Sequence, residues 1–171
     1  MKDGFTKKIE LFANAAIIVV AVVLVFVLVK KFVFNDASTA AKITKENIAA
    51  GAKVNLPEAD WAANGQTLLL ILSTDCRYCH ESLPFYQRII KQSAENGRVK
   101  IAAVFPQDAE TSREYLTAND ITVSRIFQAN PPNLGVGGTP TLLLIDKDGV
   151  VTQTWFGKLA APEENKVLGQ L

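Results

Sequence analysis

The sequence predicts an α/β domain, a central mixed sheet with helices on both faces, preceded by one helix that crosses a membrane. Three observations carry this. Leu11 to Val29 is apolar except for Asn14 and is closed by Lys30-Lys31, about the length that spans a hydrocarbon core as a helix. From Val54 on, continuous apolar runs alternate with stretches of helical periodicity, as in a domain that covers a buried sheet with helices. And Cys76-Arg77-Tyr78-Cys79, which holds both cysteines of the chain, lies between an apolar run and a helical stretch.

Residues 1–34 are expected to form the N-terminal signal anchor. The run is apolar on all sides and rich in β-branched residues, so it has no polar face to show water. A cleaved signal peptide normally has a shorter apolar region, and the small residues Ala37 to Ala41 lie beyond the lysines. Lysines flank both ends of the run: Lys2, Lys7 and Lys8 before it, Lys30 and Lys31 after it. The bias that sets topology is therefore slight. The expected orientation is N-terminus inside, domain outside, facing an oxidising compartment. Residues 35–53, rich in Ala, Lys and Thr, read as a juxtamembrane spacer.

The domain proper is expected over 54–171. Thr67–Ser73 reads as a strand buried on both faces. Cys76–Ala94 carries Leu83, Tyr86, Ile89 and Ile90 at helical spacing and stops at Asn96-Gly97, with Pro84 expected to kink it. Val99–Phe105 reads as a second buried strand. Asp108 is a plausible N-cap for a helix to about Asn119. Thr141–Ile145 and Val150–Phe156 read as a hairpin joined by Lys147-Asp148-Gly149. Ala161–Leu171 reads as a closing helix with Pro162 in its first turn. Trp61 and Trp155 are core or edge aromatics on this reading.

Composition narrows the function. A net charge of +1 over 171 residues offers no basic field for nucleic acid. Two cysteines do not make a disulfide-stapled scaffold. Two cysteines and one histidine fall short of the four ligands of a zinc site. Asp146-Lys147-Asp148-Gly149 lacks the remaining ligands of a calcium loop.

The CxxC pair reads as a redox dithiol. Cys76, at the exposed start of a helix, is the candidate nucleophile, and the free N–H groups there favour a thiolate. Cys79, one turn later, would resolve the mixed disulfide. Arg77 is expected to favour the thiolate and Asp75 to oppose it. His80, the sole histidine, would favour it when protonated. Cys76 to His80 is also a literal C-x-x-C-H, the haem attachment pattern. A second axial ligand is hard to find, since the chain has no other histidine and its sole methionine is Met1.

Ile71-Leu72-Ser73-Thr74-Asp75-Cys76-Arg77-Tyr78-Cys79-His80-Glu81-Ser82-Leu83-Pro84 resembles the active-site strand and helix of thioredoxin-like proteins, with Pro84 matching that family's helix proline. Val136-Gly137-Gly138-Thr139-Pro140-Thr141 and the run through Gly149 resemble the loop, cis-proline and hairpin of the same fold. The resemblance covers roughly Val54 to Leu171. The closest subgroup looks like the membrane-anchored TlpA/ResA-like thioredoxins of bacteria. It implies a thioredoxin fold, a thiol–disulfide oxidoreductase without dissociable cofactor, and Pro140 as the cis-proline. Thr139 would then offer backbone groups to an extended substrate. It further implies an extracytoplasmic domain on the bacterial cytoplasmic membrane, protein thiol or disulfide partners such as apocytochrome c or other envelope proteins, and a membrane redox partner that recycles the dithiol. The chain departs from the family in having Asp75 where Trp is usual before the first cysteine, Arg77-Tyr78 where Gly-Pro is usual between the two, and no acid in Leu68 to Leu72. Two other readings share the fold. One is a peroxiredoxin-like peroxidase, whose usual Pro and Thr are replaced here by Leu69 and Ser73. The other is a non-catalytic binding module with a structural disulfide.

Overall fold

A computed structural model describes residues 48–171. The expected membrane-crossing segment and most of the spacer lie outside the described residues. Among the described residues, no helix is long and apolar enough to cross a membrane.

The elements run α1 (Trp61–Asn64), β1 (Gln66–Ile71), α2 (Arg77–Glu81), α3 (Leu83–Asn96), β2 (Val99–Phe105), α4 (Ala109–Ala118) and β3 (Arg125–Gln128). A 3-10 turn (Pro131–Leu134), β4 (Thr141–Ile145), β5 (Val151–Phe156) and α5 (Ala161–Leu168) follow. The five strands form one mixed sheet in the order β3-β2-β1-β4-β5. β1 is central. It pairs parallel with β2, Leu68 opposite Ile101, and antiparallel with β4, Leu68 opposite Leu144.

The apolar runs divide between the two faces by the strand period of two. Leu68, Leu70 and Leu72 enter one core cluster, with Phe105, Tyr86 and Val167 among its members. Leu69 and Ile71 enter the other, with Val104, Leu143 and Val136. All five of these β1-run residues are 0% exposed. That explains a run with no polar alternation: neither face meets water.

The two faces are covered differently. The three longer helices α3, α4 and α5 place Ile89, Leu116 and Val167 in the first cluster. The second face is covered by Val54, Leu56 and Trp61 from the chain before β1 and by Leu134 and Val136 around the 3-10 turn. Helices on both faces were expected. On the second face the described residues supply only α1 and the 3-10 turn, because the Pro- and Gly-rich stretch from Pro131 to Pro140 has no room for a long helix.

Three details differ from the sequence reading. Cys76–Ala94 is two helices, not one kinked helix. Ser82 ends α2 and caps α3, so Pro84 falls in the first turn of α3, where a missing N–H costs nothing. β3 is an additional edge strand, parallel to β2. Its four residues are only partly buried, so they carry no apolar run that periodicity detects. Finally, α5 stops at Leu168 rather than running to Leu171. The boundary drawn at Val54 falls inside a short antiparallel pairing. Lys53 bridges to Val150, and Gly51 N–H donates to the Val151 carbonyl at 2.8 Å.

Two caps fix the frame. The Asp108 carboxylate accepts from the N–H groups of Glu110 and Thr111 at the start of α4, and these bonds, with that from the Thr111 hydroxyl, hold its carboxyl below the usual range. In the β4–β5 turn, Asp146 accepts from Val150 and Asp148 N–H at 3.0 and 2.9 Å. Gly149 in that turn has φ +78°, and a Cβ there would lie 2.7 Å from Trp61 Cδ1. The hairpin thus requires glycine both for its backbone and for its contact with Trp61.

Candidate active site

The site lies at the end of the sheet where β1 finishes and β4 begins; Ile71 pairs with Thr141 there. The chain leaves β1, turns through Thr74-Asp75 and enters α2 at Arg77. Cys76 is therefore the N-cap of α2 rather than its first helical residue. Its sulfur accepts from the Cys79 N–H at 3.1 Å, filling the place of a capping hydroxyl. Such a bond strengthens when the acceptor carries charge.

Across the site, the Cys76 thiol donates to the Thr139 carbonyl at 3.3 Å. The Thr139–Pro140 peptide bond is cis. The loop is tied down on its own side: the Thr141 hydroxyl donates to the Gly138 carbonyl at 2.8 Å. Cys76, Cys79, Thr139 and Pro140, separated by about sixty residues in sequence, thus meet at one place. Both cysteines are free thiols, Cys76 partly exposed and Cys79 buried. Burial, and then the hydrogen bond with Cys76, push the Cys79 thiol up to about 12, against weaker opposing pulls from the Ser73 backbone and the Thr139 hydroxyl. An unequal pair is what ordered exchange requires: an accessible sulfur that meets the partner and a shielded one that acts second.

The three flanking residues are turned elsewhere. Arg77 is exposed and its Nε donates to Glu81 at 2.7 Å. Lys158 Nζ donates to the same carboxylate at 2.9 Å. These two cations, Lys158 first, hold the Glu81 carboxyl below its usual range. Asp75 accepts from Gln107 Nε2 at 3.2 Å, and Gln107 also donates to the Ser73 hydroxyl at 3.0 Å. His80 Nε2 stands 2.8 Å from the Thr74 carbonyl. A carbonyl only accepts, so Nε2 carries the proton and is directed at Thr74 rather than at the Cys76 sulfur.

The sequence reading did not single out Glu81, Lys158, Gln107 or Tyr115. Gln107 follows β2 and Lys158 follows β5; only the strand order brings them to the end of β1. Tyr86 was read as a core residue on helical spacing, and it is buried in the core.

No family model matches the chain, and no curated protein matches its sequence. Solved structures do match. One, described as a thiol:disulfide interchange protein DsbE from Chlorobium tepidum, superposes with a TM-score of 0.57 at 18% identity, over 72% of this chain and 96% of that one. The thioredoxin domain of a thiol-disulfide oxidoreductase from Bacteroides vulgatus gives 0.52 at 13% identity, over 72% and 98%. The described residues have the thioredoxin-like fold. A thiol-disulfide isomerase from Corynebacterium glutamicum shares it, at 0.52 and 16% identity over 73% and 93%. In this thioredoxin-like chain the CxxC pair occupies the β1–α2 junction and the Thr139-Pro140 loop lies against it.

Proposed function

We propose that the protein is a thiol–disulfide oxidoreductase, anchored in the bacterial cytoplasmic membrane by residues 1–34, with its thioredoxin-like domain on the extracytoplasmic side. The observation that carries this reading is the unequal cysteine pair held under the Thr139-Pro140 loop. Cys76 attacks a partner disulfide, forms a mixed disulfide and releases one partner sulfur as a thiolate. Cys79 then attacks the Cys76 sulfur, releases the second partner sulfur and leaves the Cys76–Cys79 disulfide. Two electrons pass to the partner, and the reverse sequence oxidises partner thiols. The dithiol carries the electrons without a dissociable cofactor. A membrane redox partner would recycle it.

Protein partners fit the shape of the site. A cavity of about 550 Å³ lies at the other end of the sheet, lined by Ile90, Gly97, Lys100 and Thr122 among others. Of the two cysteines, Cys76 is the one that reaches the surface. Among the described residues, Tyr78 and Phe156 are the exposed large apolar side chains, at 54% and 38%. Tyr78 lies between the two cysteines, and Phe156 covers Gly138 beside the Thr139-Pro140 loop. A partner chain crossing Cys76 would meet both. Apocytochrome c and other envelope proteins are candidates by family resemblance. The haem reading fares worse, since attachment needs both sulfurs open to the macrocycle, and Cys79 is 0% exposed.

The test is trapping. Full-length Cys79→Ser should accumulate mixed disulfides with envelope proteins through Cys76, visible on non-reducing gels and lost on reduction. If Cys79→Ser traps no more protein than Cys76→Ser, the reading fails.

A further inference from the structure

Ser73, Thr74 and Asp75 carry the chain from β1 to Cys76, and the polar groups of this turn are taken up from two sides. From the end of β2, Gln107 meets the turn three times. Its Nε2 donates to the Ser73 hydroxyl at 3.0 Å and to the Asp75 carboxylate at 3.2 Å, and its Oε1 accepts from the Thr74 N–H at 3.4 Å. From α2, His80 Nε2 donates to the Thr74 carbonyl at 2.8 Å. Within the turn, the Asp75 N–H donates to the Ser73 hydroxyl at 3.3 Å and the Cys76 N–H to the Ser73 carbonyl at 3.2 Å. Gln107 is itself held in place. Its carbonyl accepts from the hydroxyl of the buried Ser112 at 3.4 Å, and the next residue, Asp108, caps α4.

The three bonds need a primary amide, which offers donors and an acceptor on one flat group. A glutamate of the same shape has no donor when ionised, and would set a second negative charge against Asp75. A methionine of the same length has neither donor nor acceptor to give. The hydrogen bonds of the Gln107 amide go to the turn, not to either sulfur, so the exchange steps described above make no use of it.

Asp75 is the group this arrangement holds. It precedes Cys76 in the chain, and a carboxylate close to a nucleophilic sulfur opposes its ionisation. The other charged groups of the rim have partners of their own. Arg77 of α2 and Lys158 after β5 both bind Glu81, His80 is directed at Thr74, and Asp108 caps α4. Beneath the rim, Cys79 and Tyr86 belong to the core cluster and Tyr115 packs against it. The side-chain partner of Asp75 is the neutral amide of Gln107.

We propose that Gln107 is a positioning residue of the exchange site: its amide pins the turn that presents Cys76 and holds the Asp75 carboxylate on the side of β2, so that its charge weighs less on the Cys76 thiolate. The inference rests on the reading of the pair as an exchange site. Gln107 acts through the turn and through Asp75, and takes no part in making or breaking bonds.

The test is a cycle of substitutions in the full-length reduced protein. Its readout is the rate at which iodoacetamide, a neutral reagent, alkylates Cys76, followed by peptide mass spectrometry. Gln107→Ala should slow the reaction about threefold at neutral pH and low salt and move its pH profile upward. In about 1 M salt the loss should shrink, because exposed charges are screened. Asp75→Asn should restore the rate in the Gln107→Ala background and change it little in the parent. An unchanged rate in Gln107→Ala overturns the proposal, as does a loss that Asp75→Asn does not restore. Should Gln107→Ala not fold, Gln107→Met keeps the length of the side chain and carries the same cycle with the same outcomes. If Cys76 of the parent reacts no faster than Cys79, the exchange reading itself has failed, which is a different result.

Discussion

The two cysteines lie three residues apart and live in different media. Cys76 lies on a rim of exposed, mutually paired charges, Arg77, Glu81 and Lys158, beside exposed aromatics. Cys79 sits in an apolar pocket of the core, in the cluster that also holds Phe85, Tyr86 and Phe105. The rim is wet, so its ion pairs are screened and its side chains are replaceable at small cost. The pocket is dry, so every polar atom in it weighs heavily. The difference shows how one helical turn can make two identical side chains chemically distinct: the first faces partners, and the second is withheld until a mixed disulfide brings a sulfur to it.

The largest effect follows from removing the exposed member. Cys76→Ser should reduce exchange with protein disulfides to the uncatalysed level while leaving the fold intact, as checked by turnover assay and circular dichroism. Next in size is the floor of the pocket. Leu70 is 0% exposed on the central strand, and Leu70→Ala should cost about 2–5 kcal/mol of stability by leaving a cavity, measured by urea unfolding.

Alkaline pH separates the two media without mutation. The Cys79 thiol is raised from 9.0 to about 12. Above 9.0 the unfolded chain ionises this thiol while the folded one keeps its proton. Stability tied to the neutral thiol is therefore present below 9.0 and lost as pH climbs toward about 12. The disulfide form has no thiol to ionise. The unfolding midpoint of the dithiol form should thus fall more steeply over this window than that of the disulfide form, and equal slopes would place Cys79 in a wet environment.

Much of this was legible in the sequence. The two-sided burial of β1 could be read from Leu68 to Leu72 because a strand with no dry–wet alternation has to be central. The meeting of Cys76 with Thr139 could be read because two separated motifs resemble one fold. The second helix start at Ser82 was not, because Ser82-Leu83-Pro84 reads equally as a kink or as a cap with Pro in the first turn. Strand β3 was hidden for a related reason. Edge strands are half wet, and Arg125 and Gln128 break the apolar run that marks β1, β2 and β4. Nor could one sequence show Gln107 and Lys158 reaching the end of β1: each follows a different strand, and only the strand order brings them there.

Smaller effects belong to the rim. Tyr78→Ala and Phe156→Ala should raise KM for protein disulfides severalfold and leave the reaction with a small aromatic disulfide unchanged. Equal loss with both would mean these rings shape the cysteines rather than hold partners. Smallest of all, Glu81→Gln removes the carboxylate shared by Arg77 and Lys158. It should leave turnover and melting temperature almost unchanged, since all three side chains are open to solvent.

The most direct test of the central claim is the equilibrium of the full-length protein with glutathione, followed by the state of its two thiols. The account predicts one reversible two-electron transition, within the range from about −270 to about −120 mV that dithiol proteins of this fold cover, and its absence in both Cys76→Ser and Cys79→Ser. A pair that stays locked as a disulfide, or thiols that titrate independently of one another, would contradict it.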